Sequence, residues 1–157
     1  MSKGCILLVE DDDDHVALTL RALRTNRIAN DVVVARDGEE ARDYLFGLGK
    51  HADRDIASCP ELILLDLKLP KISGLDLLRR IRAHDSTRMV PVVILTSSDY
   101  DTDIATSYGL GANSYVRKPV DYEEFMESLR QLSMYWLVVN QQPPAGARGG
   151  ASGPANG

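Results

Sequence analysis

The chain has 157 residues, of which 44% are apolar and 26% charged, and a formal net charge of -5. This is the composition of a soluble globular domain with room for one core, and the acidic balance argues against a general nucleic-acid binder, which would carry a basic patch. No apolar run approaches the ~20 residues of a membrane span. Met1-Ser-Lys-Gly-Cys5 leads straight into a strand, so no signal peptide is expected and the chain is assigned to the cytoplasm. Cys5 and Cys59 are too few for a disulfide framework and lack metal-ligand spacing. They read as ordinary thiols, Cys5 packed and Cys59 in a loop.

In chain order, Ile6-Leu-Leu-Val9 is a short apolar run that ends in Glu10-Asp-Asp-Asp-Asp14. Short apolar runs of this kind read as strands buried on both faces. Val16, Leu20 and Leu23 then fall on one helical face, and the acidic residues ahead favour that helix's N-terminus through its dipole. Asp12, Asp13 and Asp14 read as the solvated start of this helix rather than as further metal ligands. Asp31-Val-Val-Val-Ala35 is the second strand. Asp37-Gly-Glu-Glu40 has the spacing of a capping box, and the next helix shows Ala41, Tyr44, Leu45 and Leu48 on one face. A long polar loop runs from Gly49 to Pro60. The third strand, Leu62 to Leu65, ends in Asp66, with Lys68 and Pro70 beyond it and a turn at Pro70-Lys-Ile-Ser-Gly74. A helix with Leu75, Leu78 and Ile81 leads to the fourth strand, Pro91 to Leu95, which Thr96 ends. A shorter helix from about Asp101 to Tyr108 closes at Gly109-Leu-Gly111. Asn113 to Arg117 is the fifth strand and runs into Lys118-Pro119. Asp121 has the look of an N-cap for the last helix, whose stripe is Phe125, Leu129, Leu132 and Trp136. From Gln141 the Pro, Gly, Ala and Ser content rises, so residues 4–140 form the domain and residues 141–157 a disordered tail.

Strands alternating with helices predict an α/β fold, a parallel sheet with helices on both faces. For five such units with right-handed crossovers, the flavodoxin-like strand order 2-1-3-4-5 is the natural solution. That order sets strands 1 and 3 side by side, so Glu10, Asp11 and Asp66 converge at the carboxyl edge, where ligands bind in open α/β sheets. Strand 4 brings Thr96 to the same edge and strand 5 brings Lys118. Three carboxylates repel one another unless a cation joins them, and an all-oxygen, highly charged set suits Mg2+. A hydroxyl and an ammonium opposite them suit a phosphoryl group. Together the parts describe phosphoryl transfer to a carboxylate. His15, His51 and His84 have no partner at ligand or catalytic spacing and read as surface residues.

Ile6-Leu-Leu-Val-Glu-Asp-Asp12, Leu64-Leu-Asp-Leu-Lys-Leu-Pro70, Gly74, Ile94-Leu-Thr-Ser97 and Gly111-Ala-Asn-Ser-Tyr-Val-Arg-Lys-Pro119 resemble the receiver domain of two-component response regulators. The resemblance covers roughly residues 4 to 139. It implies that Asp66 is the phosphoacceptor and the modified residue, and that a sensor histidine kinase is the donor. It implies that Asp11 ligates Mg2+ directly, Glu10 mostly through water, and that the backbone carbonyl of Lys68 completes the protein's metal ligands with Asp66. Thr96 and Lys118 would contact the phosphoryl oxygens, and Tyr115 would be the aromatic that moves with Thr96 in the switch. The domain would then accept and lose phosphate by its own chemistry but turn over no other substrate. No output domain is expected after the final helix, and the long loop before strand 3 and the ending Met134-Tyr-Trp-Leu-Val-Val139 resemble the small regulators that pair with phytochrome-type histidine kinases.

Two other functions fit parts of the pattern. An aspartate-nucleophile phosphatase of the haloacid dehalogenase type also combines Asp, Thr, Lys and Mg2+, but it carries its nucleophile on the first strand, with a second Asp two residues on. Here position 68 is Lys. A pseudo-receiver that is never phosphorylated would lack part of the site set, which is complete in this sequence. Leu132, Tyr135, Trp136, Val138 and Val139 give the final helix more apolar surface than one sheet face requires, which predicts a homodimer through that region.

Overall fold

The computed structural model describes residues 4–28, 30–54, 60–96, 101–117 and 122–139. Five strands, β1 (Ile6–Val9), β2 (Val32–Ala35), β3 (Leu62–Leu65), β4 (Val92–Thr96) and β5 (Ser114–Arg117), alternate with α1 (Asp13–Thr25), α2 (Gly38–Phe46), α3 (Gly74–Ala83), α4 (Asp101–Gly109) and α5 (Tyr122–Met134). All neighbouring strands pair in parallel, in the order β2-β1-β3-β4-β5. This is the fold class and strand order that the sequence predicts.

The unbroken apolar runs have a direct structural cause. β1, β3 and β4 are buried at every position, because helices cover both faces of the sheet. Successive side chains alternate between those faces. Leu7, Val9, Ile63, Leu65, Val92 and Ile94 pack with Ala41 and Leu45 of α2 and with Leu77, Leu78 and Ile81 of α3. Ile6, Leu8, Leu62, Leu64, Val93 and Leu95 pack with Val16, Ala22 and Leu23 of α1 and with Phe125 and Leu129 of α5. β2, at the sheet edge, is mostly half-buried.

The helix starts follow from their caps. Asp12 accepts from the N–H groups of Asp14 and His15, at 2.9 and 3.2 Å. Asp37 accepts from the N–H of Glu40 at 2.7 Å, while the Glu40 carboxylate reaches back to the N–H of Arg36 at 2.9 Å. Ser73 caps α3 by accepting from the N–H of Asp76 at 3.2 Å. The expected cap at Asp121, the loop position of Cys59 and the tail beyond Val139 lie outside the described residues. Cys5 is half-buried, its Sγ 3.4 Å from the Tyr44 hydroxyl.

One predicted core position fails. Leu48 does not continue the apolar face of α2, because Gly47 takes the left-handed conformation at φ 68 and ends the helix at Phe46. The Leu48 N–H then closes the turn onto the carbonyl of Asp43, and its side chain is 45% exposed. Arg54 holds the following loop in place. It donates from Nη2 to the carbonyl of Leu45 at 3.1 Å and lies over the Tyr44 ring, 4.1 Å from its centroid. Burial pushes the Tyr44 hydroxyl up to about 12.

At the other edge, Arg82 of α3 ties together two turns. It donates to the carbonyls of Gly111 and Val90 and to Asn113 Oδ1, and Asn113 Oδ1 also accepts from the N–H of Val92. α5 continues into a π-helical turn, Tyr135–Val139. Leu132 and Trp136 are partly buried against the second core cluster, while Met134 and Tyr135 are about half exposed. Among the described residues, no helix is long and apolar enough to cross a membrane.

Candidate phosphoacceptor and metal site

The site lies where the central strands run out. Val9 of β1 pairs with Leu65 of β3, so the next residues, Glu10 and Asp66, leave the sheet side by side. Their main chains stay anchored: the N–H of Asp66 donates to the carbonyl of Val9 at 3.1 Å, and that of Glu10 to Ala35 at 2.9 Å. Ligand atoms of Glu10, Asp11 and Asp66 all lie within 4.8 Å of one another. Glu10 and Asp66 are only 2% and 7% exposed, whereas Asp11 faces solvent. Neighbouring carboxylates withdrawn from water are costly when both are charged. A hard divalent cation with oxygen ligands offsets that cost, so the donor set present fits such a metal.

The main chain adds further constraints. The N–H of Lys68 donates to Asp66 Oδ1 at 3.2 Å, and that of Asp12 to Glu10 Oε2 at 3.3 Å. Lys68 itself is exposed. After Pro70 the chain makes a tight turn, closed by the N–H of Ile72 onto the carbonyl of Pro70 at 2.8 Å, with Lys71 at φ 69. A non-glycine residue in that region is strained and needs external support. The start of α2 gives it: the N–H of Gly38 donates to the Pro70 carbonyl at 3.3 Å, and the Lys71 ammonium lies 3.6 Å from Asp37 and 3.9 Å from Glu39.

Thr96 is the last residue of β4 and is fully buried. Its strand partner is Arg117, and the preceding pair on the same sheet face is Ile94 with Tyr115. Thr96 and Tyr115 are therefore diagonal neighbours on one face of adjacent strands. Tyr115 is half-buried against the first core cluster. Lys118 lies outside the described residues, so the structure gives no geometry for it.

Sequence reading missed one neighbour. His15 is not merely a surface residue: its Nδ1 lies 3.8 Å from Glu10 Oε1. The signal was available in the cap. With Asp12 as N-cap, His15 falls in the first turn of α1, directly above the carboxylate that precedes the helix.

Residues 6–130 match the response regulator receiver domain. Among curated relatives, the probable methanogenesis regulatory protein FilR2 of Methanothrix harundinacea is 38% identical over 138 residues, 88% of this chain and 86% of that protein. Response regulator Rcp1 of Synechocystis is 33% identical over 140 residues, 89% of this chain and 93% of that protein. Among solved structures, the phosphorylated cyanobacterial phytochrome response regulator RcpA superposes with a TM-score of 0.84 at 34% identity, covering 91% of this chain and all of its own. The Mn2+-bound form of Rcp1 gives 0.82 at 32% identity, covering 90% of this chain and 100% of its own. The bacteriophytochrome response regulator RtBRR gives 0.73 at 45% identity, covering 94% and 89%. The signalling family that matches is not that of the haloacid dehalogenase phosphatases, and the match runs unbroken from β1 into α5. The match thus spans the acidic edge between β1 and β3, and the chain belongs to the response regulator receiver family of phosphorylation-dependent switches.

Proposed function

We propose that this chain is a cytoplasmic switch that takes a phosphoryl group on Asp66 from a phosphohistidine of a phytochrome-type sensor kinase. The observation that carries this reading is the convergence of Glu10, Asp11 and Asp66 at the carboxyl edge of β1 and β3. The likeness to RcpA, a phytochrome response regulator, and to RtBRR, a bacteriophytochrome response regulator, supports the kinase class. Glu10, Asp11, Asp66 and the Lys68 carbonyl would hold Mg2+, which when bound supplies positive charge opposite the phosphoryl oxygens. An Asp66 carboxylate oxygen attacks phosphorus as the phosphorus–nitrogen bond breaks, and the imidazole leaves. The Thr96 hydroxyl and the Lys118 ammonium then donate to the new phosphoryl oxygens. Drawing Thr96 toward the phosphate vacates space on the sheet face that it shares with Tyr115, and the ring follows. Phosphorylation thereby shifts a pre-existing equilibrium rather than building a new fold. The test is labelling with acetyl phosphate and with a phosphorylated phytochrome kinase, each with and without Mg2+. Absence of label under every condition would leave a pseudo-receiver.

Asp11→Ala is expected to abolish stabilisation by added Mg2+ while leaving the apo fold intact, since Asp11 is exposed and belongs to neither core cluster. At a hundredfold excess over Kd the lost stabilisation is about 2.7 kcal/mol. A thermal melt with an unchanged Mg2+ shift contradicts the ligand role.

Lys68 would set the lifetime of the signal. Its exposed side chain is rooted two residues after the acceptor. Lying over the phosphoryl group, it takes the space that an in-line water needs. Stabilising developing charge would speed hydrolysis, but Lys118 and the metal already supply that charge, and positioning the nucleophile carries the larger factor. Lys68→Asn is expected to lose label roughly tenfold faster, a barrier change of about 1.4 kcal/mol. An equal or longer lifetime, measured after donor removal at constant Mg2+, rules out shielding.

A homodimer through the end of α5 belongs to the same proposal, supported by the exposure of Met134 and Tyr135 beside the partly buried Leu132 and Trp136. Light scattering with and without beryllofluoride is expected to show a dimer. A monomer at every concentration removes the idea.

A further inference from the structure

We infer that a groove between the ends of α2 and α3 binds a small amphiphilic carboxylate, a ring or branched alkyl group carrying one negative charge. The groove has a volume of about 360 Å³ and is lined by Arg42, Phe46, Leu48, Arg80, Ala83 and His84. It is separate from the acidic site. α2 starts where the N–H of Gly38 meets the carbonyl of Pro70, and α3 starts beside the carbonyl of Asp66. Both helices then run away from that edge, α2 for about 13 Å. The groove therefore sits at the opposite end of the domain.

Its chemistry has two halves. The apolar half is Phe46, Leu48 and Ala83, with the Phe46 ring 4.6 Å from the His84 ring at a tilt of 36°. Leu48 is in this wall because Gly47 ends α2 early, which explains an exposed leucine that the helix pattern would have buried. The polar half consists of donors. Arg80 is exposed and makes no hydrogen bond or ion pair among the described residues. The His84 ring is held through Nδ1 by Ser86, whose N–H lies at 3.3 Å and whose hydroxyl oxygen lies at 2.9 Å. Arg42 adds positive charge, partly balanced by Asp43, to which it donates at 2.8 and 3.1 Å. An unpaired guanidinium and a second, partly balanced one beside an apolar wall select an anion with an apolar body. The volume lies at the lower end of the range for small-molecule sites, about 300–1,000 Å³.

The experiment is titration of the isotope-labelled full chain with 3-phenylpropionate, followed by amide chemical shifts. Saturable shifts confined to residues 42–48 and 80–84 are expected. Affinity should exceed that for 3-phenylpropan-1-ol by about tenfold, the factor carried by one hydrogen bond to a charged group. Arg80→Gln, on an exposed side chain with no partner to lose, should remove most of that preference. No saturable shift, shifts elsewhere, equal affinity for the alcohol, or an unchanged preference in Arg80→Gln would each overturn the assignment.

Discussion

Asp66→Asn is expected to take up no phosphoryl label, from a kinase or from acetyl phosphate, under conditions that label the parent chain to completion. An amide oxygen is a far poorer nucleophile than a carboxylate, and the product would not be an acyl phosphate. The loss will not come from unfolding. Asn keeps the shape of Asp and retains an acceptor for the Lys68 N–H, which lies 3.2 Å from Oδ1. It also removes one of two nearly buried carboxylates, Asp66 beside Glu10, so without metal the variant should be at least as stable as the parent. Loss of labelling with an unchanged or higher melting temperature is therefore the signature. The measurement is radiolabel incorporation beside a thermal melt. Acid-stable, base-labile label persisting on the variant would move the acceptor elsewhere.

The sheet was legible because its central strands carry no polar residue until they end. Ile6 to Val9 and Leu62 to Leu65 are each buried throughout and are each followed at once by a carboxylate. Burial on both faces is what makes the run continuous, and the carboxyl edge is what makes its end polar. The convergence of Glu10, Asp11 and Asp66 needed only the strand order. Other features depend on one backbone angle or one contact. Leu48 keeps the helical spacing of Ala41 and Tyr44, yet Gly47 at φ 68 has already turned the chain outward. His15 is marked in the sequence only by its place after the Asp12 cap, and it meets Glu10 because Asp12 starts α1 beside that carboxylate. The diagonal relation of Thr96 to Tyr115 rests on the β4–β5 register, which no spacing along the chain records. Ser73, which the sequence places in the turn before α3, is the cap of that helix.

Gly74→Ala should cost the fold about 3 kcal/mol, and it should also impair phosphorylation. A methyl group at this position would lie 2.2 Å from the carbonyl oxygen of Asp66 and 2.5 Å from the Cα of Leu67. Both are main-chain atoms, so no side chain can rotate aside. The same stretch is pinned by the N–H of Gly74 donating to the Leu67 carbonyl at 2.9 Å, and by the N–H of Asp66 on the Val9 carbonyl. Relief therefore means moving the start of α3 or the end of β3. Helix propensity pulls the other way, since Ala is favoured over Gly by about 1 kcal/mol inside a helix. Position 74 is the first helical residue, where that gain is smaller, and overpacking against fixed backbone costs about 1–3 kcal/mol, occasionally more, so the steric term wins. For a domain of this size the melting temperature should fall by about 10 °C. Gly109→Ala is the internal control: that glycine ends α4, a methyl there meets nothing within 4 Å, and its φ is not positive. It should be neutral or stabilising by up to about 1 kcal/mol. The second readout separates a general weakening from a local one. At a temperature where Gly74→Ala is fully folded by circular dichroism, its labelling rate should still trail the parent, because the displaced main chain carries Asp66 itself. A variant that melts with the parent and labels at the parental rate would show that the β3–α3 junction yields freely and does not hold the acceptor in position.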